Sequence, residues 1–170
     1  MRLDPLVTSA VNMDYADWRA NAVVLGATII TVALSVLVHY EGLNFLSRRF
    51  HESPEPPDSA PTRRHVLYGI FSVLGLHVVE IWIFGIAYAL LYRVISAGFV
   101  VGAHSQQFFD YIYFSASVFT TVGFGDLAPV GPMRLMAGME ALTGLVLITW
   151  SASFTYFQMG RYWRSEPQRD

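Results

Sequence analysis

The chain has 170 residues, of which 54% are hydrophobic and only 14% are charged, a composition typical of a membrane protein. Its formal net charge is −2, and its 11 basic side chains are too scattered for nucleic-acid binding. It contains no cysteine, which excludes disulfides and thiol chemistry.

The first predicted element is a transmembrane helix at residues 22–42, preceded by an acidic segment at residues 1–21. An apolar run of this length can cross the hydrocarbon core of a bilayer. No signal peptide is apparent, because the apolar run starts only near residue 22, behind Asp4, Asp14 and Asp17, so we expect the helix to be retained. The helix has no arginine at every third position, so a voltage sensor is not predicted.

Residues 43–65 are predicted to form a proline-rich linker, because Ser53–Pro61 cannot be helical. The linker separates the first helix from a core at residues 66–160, which begins and ends with a second and a third apolar span. We therefore expect the first helix to be peripheral to the function of that core.

Between the second and third spans lies Phe108–Thr120, a stretch rich in aromatic and small hydroxyl residues. As a helix it would measure roughly 20 Å, which is too short to cross a core of about 30 Å. It must therefore enter the membrane and turn back, which is allowed only where the returning loop is buried in protein or lines water. The C-terminal end of such a helix would favour a cation.

The motif Thr120-Thr121-Val122-Gly123-Phe124-Gly125-Asp126 follows this stretch directly. Its glycines stand at alternate positions, where they permit backbone conformations that turn successive carbonyls to one side. Set between two spans, the motif resembles the selectivity filter of the potassium-channel pore-domain family, of the bacterial two-transmembrane type. The first helix is an addition to that type.

The resemblance implies an all-α membrane protein with three transmembrane helices, a re-entrant pore helix and a filter loop. The carbonyls of Thr121–Gly125 would replace the hydration shell of K⁺ ions, the one bound species that is expected. The chain contains a single copy of the motif, so the pore would need three identical subunits beside it in a lipid bilayer.

The resemblance also implies residues that support the filter. Asp126 would bond Tyr113, while Ser117 and Thr120 belong to the pore helix. The chain departs from the family at Phe124, where a tyrosine is frequent, and at Ser117, where some bacterial relatives have a glutamate.

Glu140 lies inside the third span, where an unpaired carboxylate costs at least about 2.5–3.5 kcal/mol. It is predicted either to hydrogen-bond behind the filter or to form a ring that faces the cavity. Gly144 follows one turn later, and it is either a hinge or a site of close packing. The resemblance places five residues of this span at the cavity: Leu145, Ile148, Thr149, Ala152 and Tyr156.

His77 and Glu80 share one face of the second span, at i and i+3, and can bond each other. They are predicted to be either a structural pair or a proton-sensitive element. A metal site formed by these two alone is not expected, because two ligands do not close a coordination shell. No role is predicted for the remaining histidines, His39, His51, His65 and His104.

Arginines set the expected orientation by the positive-inside rule. Seven of them flank the linker or follow the third span, and these should be cytoplasmic: Arg48, Arg49, Arg63, Arg64, Arg161, Arg164 and Arg169. The tail at residues 161–170 would then be cytoplasmic and the N-terminus outside, in a multi-pass protein of the cell (inner) membrane.

The predicted function is passive conduction of K⁺ through a homotetrameric pore. The alternatives are a weakly selective cation channel and a membrane subunit of a potassium-uptake complex that needs a cytoplasmic partner. An enzyme is not predicted, because no nucleophile, metal cluster or phosphate loop is apparent.

Overall fold

The computed structural model describes residues 18–52, 63–95, 98–102 and 107–164. The expected extracellular residues 1–17, the proline-rich residues 53–62 and the tail from residue 165 lie outside the described residues. The elements in chain order are helix α1 (Trp18–Glu52), helix α2 (Arg63–Leu90), a π-helical turn (Leu91–Ile95), strand β1 (Phe99–Val101), helix α3 (Phe108–Phe119), strand β2 (Ala128–Val130) and helix α4 (Met133–Arg164).

Three of the helices are long and apolar enough to cross a membrane, in the segments Trp18–Arg49, Leu67–Arg93 and Met133–Phe157. Many of their large apolar side chains are exposed in the single chain, among them Ile29 and Phe71. A soluble protein would bury such side chains, whereas lipid tails or neighbouring subunits can cover them here. The prediction of a mainly helical membrane protein with three transmembrane helices is confirmed.

Helix α1 extends further than the sequence analysis predicted. It continues through residues 43–52, which were assigned to the linker, and it ends at Glu52. The physical reason is that residues 43–53 contain no proline, so nothing in residues 43–52 removes a backbone donor or clashes with the preceding turn.

A short antiparallel ribbon was not predicted. Strand β1 pairs with β2, so that Phe99 lies opposite Val130 and Val101 opposite Ala128. Pro129 is tolerated because a strand of a two-stranded ribbon has one edge without a ladder partner. The ribbon brings together the segments on either side of α3 and its following loop.

The chain divides into two compact units, and each long helix contributes to both. The first unit comprises Met1–Ser35 and Ile81–Leu145. Its core is aromatic and includes Phe84, Tyr88 and Phe119, all with no exposed surface.

The second unit comprises Val36–Glu80 and Val146–Asp170. Its buried apolar cluster is aliphatic. It contains Leu43, Leu46 and Val73, with Leu76 and Phe154 packed against it.

Candidate functional site

Helix α3 has well-defined ends. At its start the backbone N–H of Gln107 donates to Asp110 Oδ2 at 3.0 Å, and an acid in the first turn also favours the positive end of the helix dipole. At its end the Thr120 hydroxyl donates to the carbonyl of Ala116 at 2.7 Å. The Thr120 side chain is therefore bonded within its own helix, and its predicted support of the filter stays a prediction.

The loop after α3 has an alternating backbone. Thr121, Gly123 and Gly125 have positive φ angles of 58°, 57° and 81°. The sequence predicted this conformation at the two glycines, and the structure adds Thr121, which is unusual because a β-branched residue rarely adopts it. The loop is exposed throughout residues 121–126 in the single chain.

Ser117 attaches the loop to α3. Its carbonyl accepts from the backbone N–H of Gly123 at 3.1 Å, and its hydroxyl oxygen accepts from the N–H of Phe124 at 3.3 Å. Because one residue of α3 holds two successive loop amides, the path of the loop is determined from the helix behind it.

A second attachment joins α3 to the far end of the loop. The Tyr113 hydroxyl donates to Asp126 Oδ2 at 3.0 Å, the contact that the resemblance implied. This hydrogen bond to the carboxylate raises the pKa of the Tyr113 hydroxyl, since ionisation would break it. The Phe124 ring stacks on Tyr113, with centroids 6.1 Å apart and planes 6° from parallel. Phe124 lacks the hydroxyl of the tyrosine that is frequent at this position, but its ring still contacts α3 through Tyr113.

Glu140 is fully buried and has two hydroxyl partners. Ser115 of α3 donates to Oε1 at 2.5 Å, and Tyr88 of α2 donates to Oε2 at 2.6 Å. Of the two alternatives for this residue, the structure shows the hydrogen bond to the short helix. Glu140 thus links α4, α3 and α2 through one carboxylate, and its support of the filter itself stays a prediction.

Gly144 lies against the C-terminal end of α3. A methyl group at this position would overlap the backbone carbonyl of Phe119. Close packing therefore requires a glycine here, and a hinge at Gly144 stays a prediction.

The five residues predicted to line the cavity are all exposed in the single chain: Leu145, Ile148, Thr149, Ala152 and Tyr156. Other residues of the same helix, such as Leu142 and Val146, are equally exposed. Exposure alone does not distinguish a cavity from a lipid-facing surface, and the assignment stays a prediction.

Glu80 is also fully buried, with imidazole partners. His77 Nδ1 lies 2.8 Å from Oε2, so the predicted i, i+3 contact is present. His39 Nδ1 lies 2.7 Å from Oε1, and its side chain has no exposed surface. No role was predicted for His39, and its contact with Glu80 corrects that prediction. A signal was available, because His39 is a polar residue within an apolar and otherwise uncharged run. Proton sensing by His77 and Glu80 stays a prediction.

Comparison with known proteins supports a channel. Residues 76–158 match a family model described as "Ion channel". This ion-channel segment, just under half of the chain, is similar to that family. The ion-channel segment contains α3, the loop and both buried glutamates, whereas α1 precedes it. The resemblance seen in the sequence is confirmed.

One curated relative is an inward rectifier potassium channel, Kirbac3.1, from Paramagnetospirillum magnetotacticum. It is 31% identical over 90 residues, which is 52% of this chain and 29% of that protein. The chain therefore spans less than a third of the length of this relative. No solved structure matches the chain.

Proposed function

We propose that this protein is a potassium-selective channel that conducts K⁺ passively through a homotetrameric pore. Residues Thr121–Gly125 form its selectivity filter. The similarity of residues 76–158 to an ion-channel family supports a transport protein rather than an enzyme, and the choice of K⁺ rests on the loop.

The alternating backbone of the loop is the observation that carries the proposal. Positive φ angles at positions 121, 123 and 125 reverse every second peptide unit relative to an ordinary extended strand. Such an alternation lets successive carbonyls face one side, where four loops can replace the hydration shell of K⁺. The printed name of the relative, a potassium channel, agrees with this choice of ion.

The tetramer follows from geometry. One loop supplies a quarter of the carbonyls that surround an ion in a filter of this kind. The exposed loop and the exposed apolar surface of α4 are then the faces that meet three identical subunits. K⁺ is the cargo, and the lipid bilayer covers the remaining apolar surface.

Helix α3 is the pore helix in this proposal. Its carbonyl end adjoins the loop, so its dipole adds negative potential where the cation sits. Ser117 and the Tyr113–Asp126 pair hold the loop, and Glu140 holds α3 from behind through Ser115.

The proposed location is the cell (inner) membrane, with the filter at the outer mouth. The seven arginines that flank the linker or follow α4 then lie in the cytoplasm, as the positive-inside rule requires. An odd number of crossings places the N-terminus outside.

The test is reconstitution of the purified chain alone into planar lipid bilayers, with K⁺ on one side and Na⁺ on the other. A reversal potential that follows K⁺ supports the proposal. A reversal potential near zero would instead indicate a weakly selective cation channel. If currents require a cytoplasmic partner, the protein is a subunit of an uptake complex. Native mass spectrometry of the same sample counts the chains in the assembly.

A further inference from the structure

Three metal-ligating side chains converge within the second compact unit. One donor atom each from His39, His77 and Glu80 lies within 4.8 Å of the others. His39 and Glu80 have no exposed surface, and the His77 side chain is 14% exposed. Such a group of donors in a membrane-spanning region is costly to keep, so it calls for an occupant or a tight hydrogen-bond arrangement.

The helices bring the donors together in a simple way. His77 and Glu80 stand at i and i+3 on α2, on one face, and His39 reaches them from α1. The two imidazole rings are stacked with centroids 5.5 Å apart, and both Nδ1 atoms contact the carboxylate of Glu80. The cluster therefore joins two helices through three donors.

We propose that this cluster binds one Zn²⁺ per chain, through Nδ1 of His39, Nδ1 of His77 and a carboxylate oxygen of Glu80. Two imidazoles and one glutamate are a recurrent zinc ligand set, which leaves a fourth tetrahedral position for water. The partly exposed His77 edge is where that fourth ligand has access.

The donor spacing is close to what the ion needs. The two nitrogen-to-oxygen distances are 2.7 and 2.8 Å, which suit hydrogen bonds. Ligands about 2.0–2.1 Å from a tetrahedral Zn²⁺ stand roughly 3.3 Å apart, and one donor atom from each of the three side chains lies within 4.8 Å of the others. The two imidazoles contact different oxygens of Glu80, so one ring must turn toward the oxygen that ligates the ion.

The protons can also be accounted for. A neutral imidazole that donates from Nδ1 must move that proton to Nε2 before Nδ1 can ligate a metal. For His39 the Nε2 atom lies 3.4 Å from Ser151 Oγ, which can accept a hydrogen bond from the relocated N–H. Ligating histidines are commonly oriented by such an outer contact, and Ser151 is well placed for this role.

The ligand chemistry excludes the abundant hard cations. Mg²⁺ and Ca²⁺ require six or more oxygen ligands, whereas this cluster offers two nitrogens and one carboxylate. Binding of Zn²⁺ would replace hydrogen bonds between α1 and α2 with metal bonds, and so would fasten the added helix to the ion-channel segment. Metal binding is measured without current, so the outcome does not depend on whether the protein conducts K⁺.

The experiment uses the purified full chain in lipid nanodiscs, with Co²⁺ as a visible probe and Zn²⁺ as competitor. We expect one Co²⁺ per chain, the intense visible absorption of a tetrahedral site, and its loss when Zn²⁺ is added, but not when Mg²⁺ is added. The Trp150 ring lies 5.3 Å from the His39 ring, so bound Co²⁺ should also quench a fluorescence component that Trp150→Phe removes.

The variants His39→Gln and Glu80→Gln should each weaken Co²⁺ binding at least tenfold. The exposed Glu41 is not part of the cluster, so Glu41→Gln serves as the matched control and should bind as wild type. Absence of tetrahedral absorption in the wild-type protein would overturn the site without reference to any variant. Binding that survives in His39→Gln, or that is lost in Glu41→Gln, would also overturn it.

Discussion

Two glutamates buried in membrane-spanning helices, Glu140 and Glu80, have partners of different chemistry. Glu140, in the first compact unit, accepts hydrogen bonds from the hydroxyls of Tyr88 and Ser115. Glu80, in the second, lies between the imidazoles of His39 and His77. Both carboxylates are fully buried, so the hydrogen bonds of each must offset the free-energy cost of removing it from water.

The difference lies in what the partners can become. A phenol or serine hydroxyl has a single O–H donor, on one oxygen, and this suits a contact that holds α3 in one place. An imidazole can exchange its donor and acceptor nitrogens, take up a proton or ligate a metal. The hydrogen bonds of Glu140 therefore favour one fixed position of α3. The contacts of Glu80 with the two imidazoles can change their protons or ligand while still joining α1 to α2.

The strongest test of fixed geometry is Gly123→Ala. The added methyl contacts nothing in the chain, so the effect acts on the backbone, where φ is +57°. A left-handed conformation costs an ordinary residue about 1–2 kcal/mol, and four chains share one filter, so current should fall about 100-fold or more. Currents are compared at equal amounts of reconstituted protein.

The matched control is Gly26→Ala, on α1, where an added methyl also meets nothing and φ is not positive. It should conduct as wild type. A Gly123→Ala protein that conducts as well as this control would exclude the proposed filter.

The next effect concerns packing between α4 and α3. In Gly144→Ala the methyl overlaps the Phe119 carbonyl, which should destabilise the protein by about 1–3 kcal/mol. Graded unfolding of the purified protein in SDS and lipid micelles measures this, with Gly26→Ala again as control. An unchanged unfolding midpoint would show that α3 yields easily, in conflict with a rigid support.

The two carboxylates can be compared directly by leucine substitution. Glu140→Leu leaves the buried Tyr88 hydroxyl without its acceptor, a loss of about 1–3 kcal/mol. Glu80→Leu should cost less, because His39 can move its proton to Nε2 and donate to Ser151. The same unfolding assay, without added metal, ranks the two variants. If Glu80→Leu is the less stable protein, the proposed adaptability of the imidazoles is wrong.

The smallest effect is expected for Tyr113→Phe. The variant loses the exposed hydrogen bond to Asp126 but keeps the stacking on Phe124. Folding should be unchanged and conduction should persist, with a modest fall in the preference for K⁺ over Na⁺ under bi-ionic conditions. Complete loss of current would mean that this bond, and not Ser117, determines the path of the loop.

Local features of the sequence predicted much of this protein. The three transmembrane helices follow from the length of the apolar runs, since a helix of fixed rise must match the bilayer. The i, i+3 contact of His77 with Glu80 follows from helical spacing, and positive φ at Gly123 and Gly125 from their lack of a side chain. In each case the information lies within a few residues of chain.

The tertiary structure decided which distant groups meet. His39 finds Glu80 across 41 residues and Tyr88 finds Glu140 across 52, and Gly144 packs on Phe119 because two helices cross there. Spacing within one helix cannot specify a partner on another, since that choice depends on the rotation and packing of both. The sequence alone therefore determined the membrane fold and the loop, while the packing of helices determined what stands behind the loop and what joins the first helix to the rest.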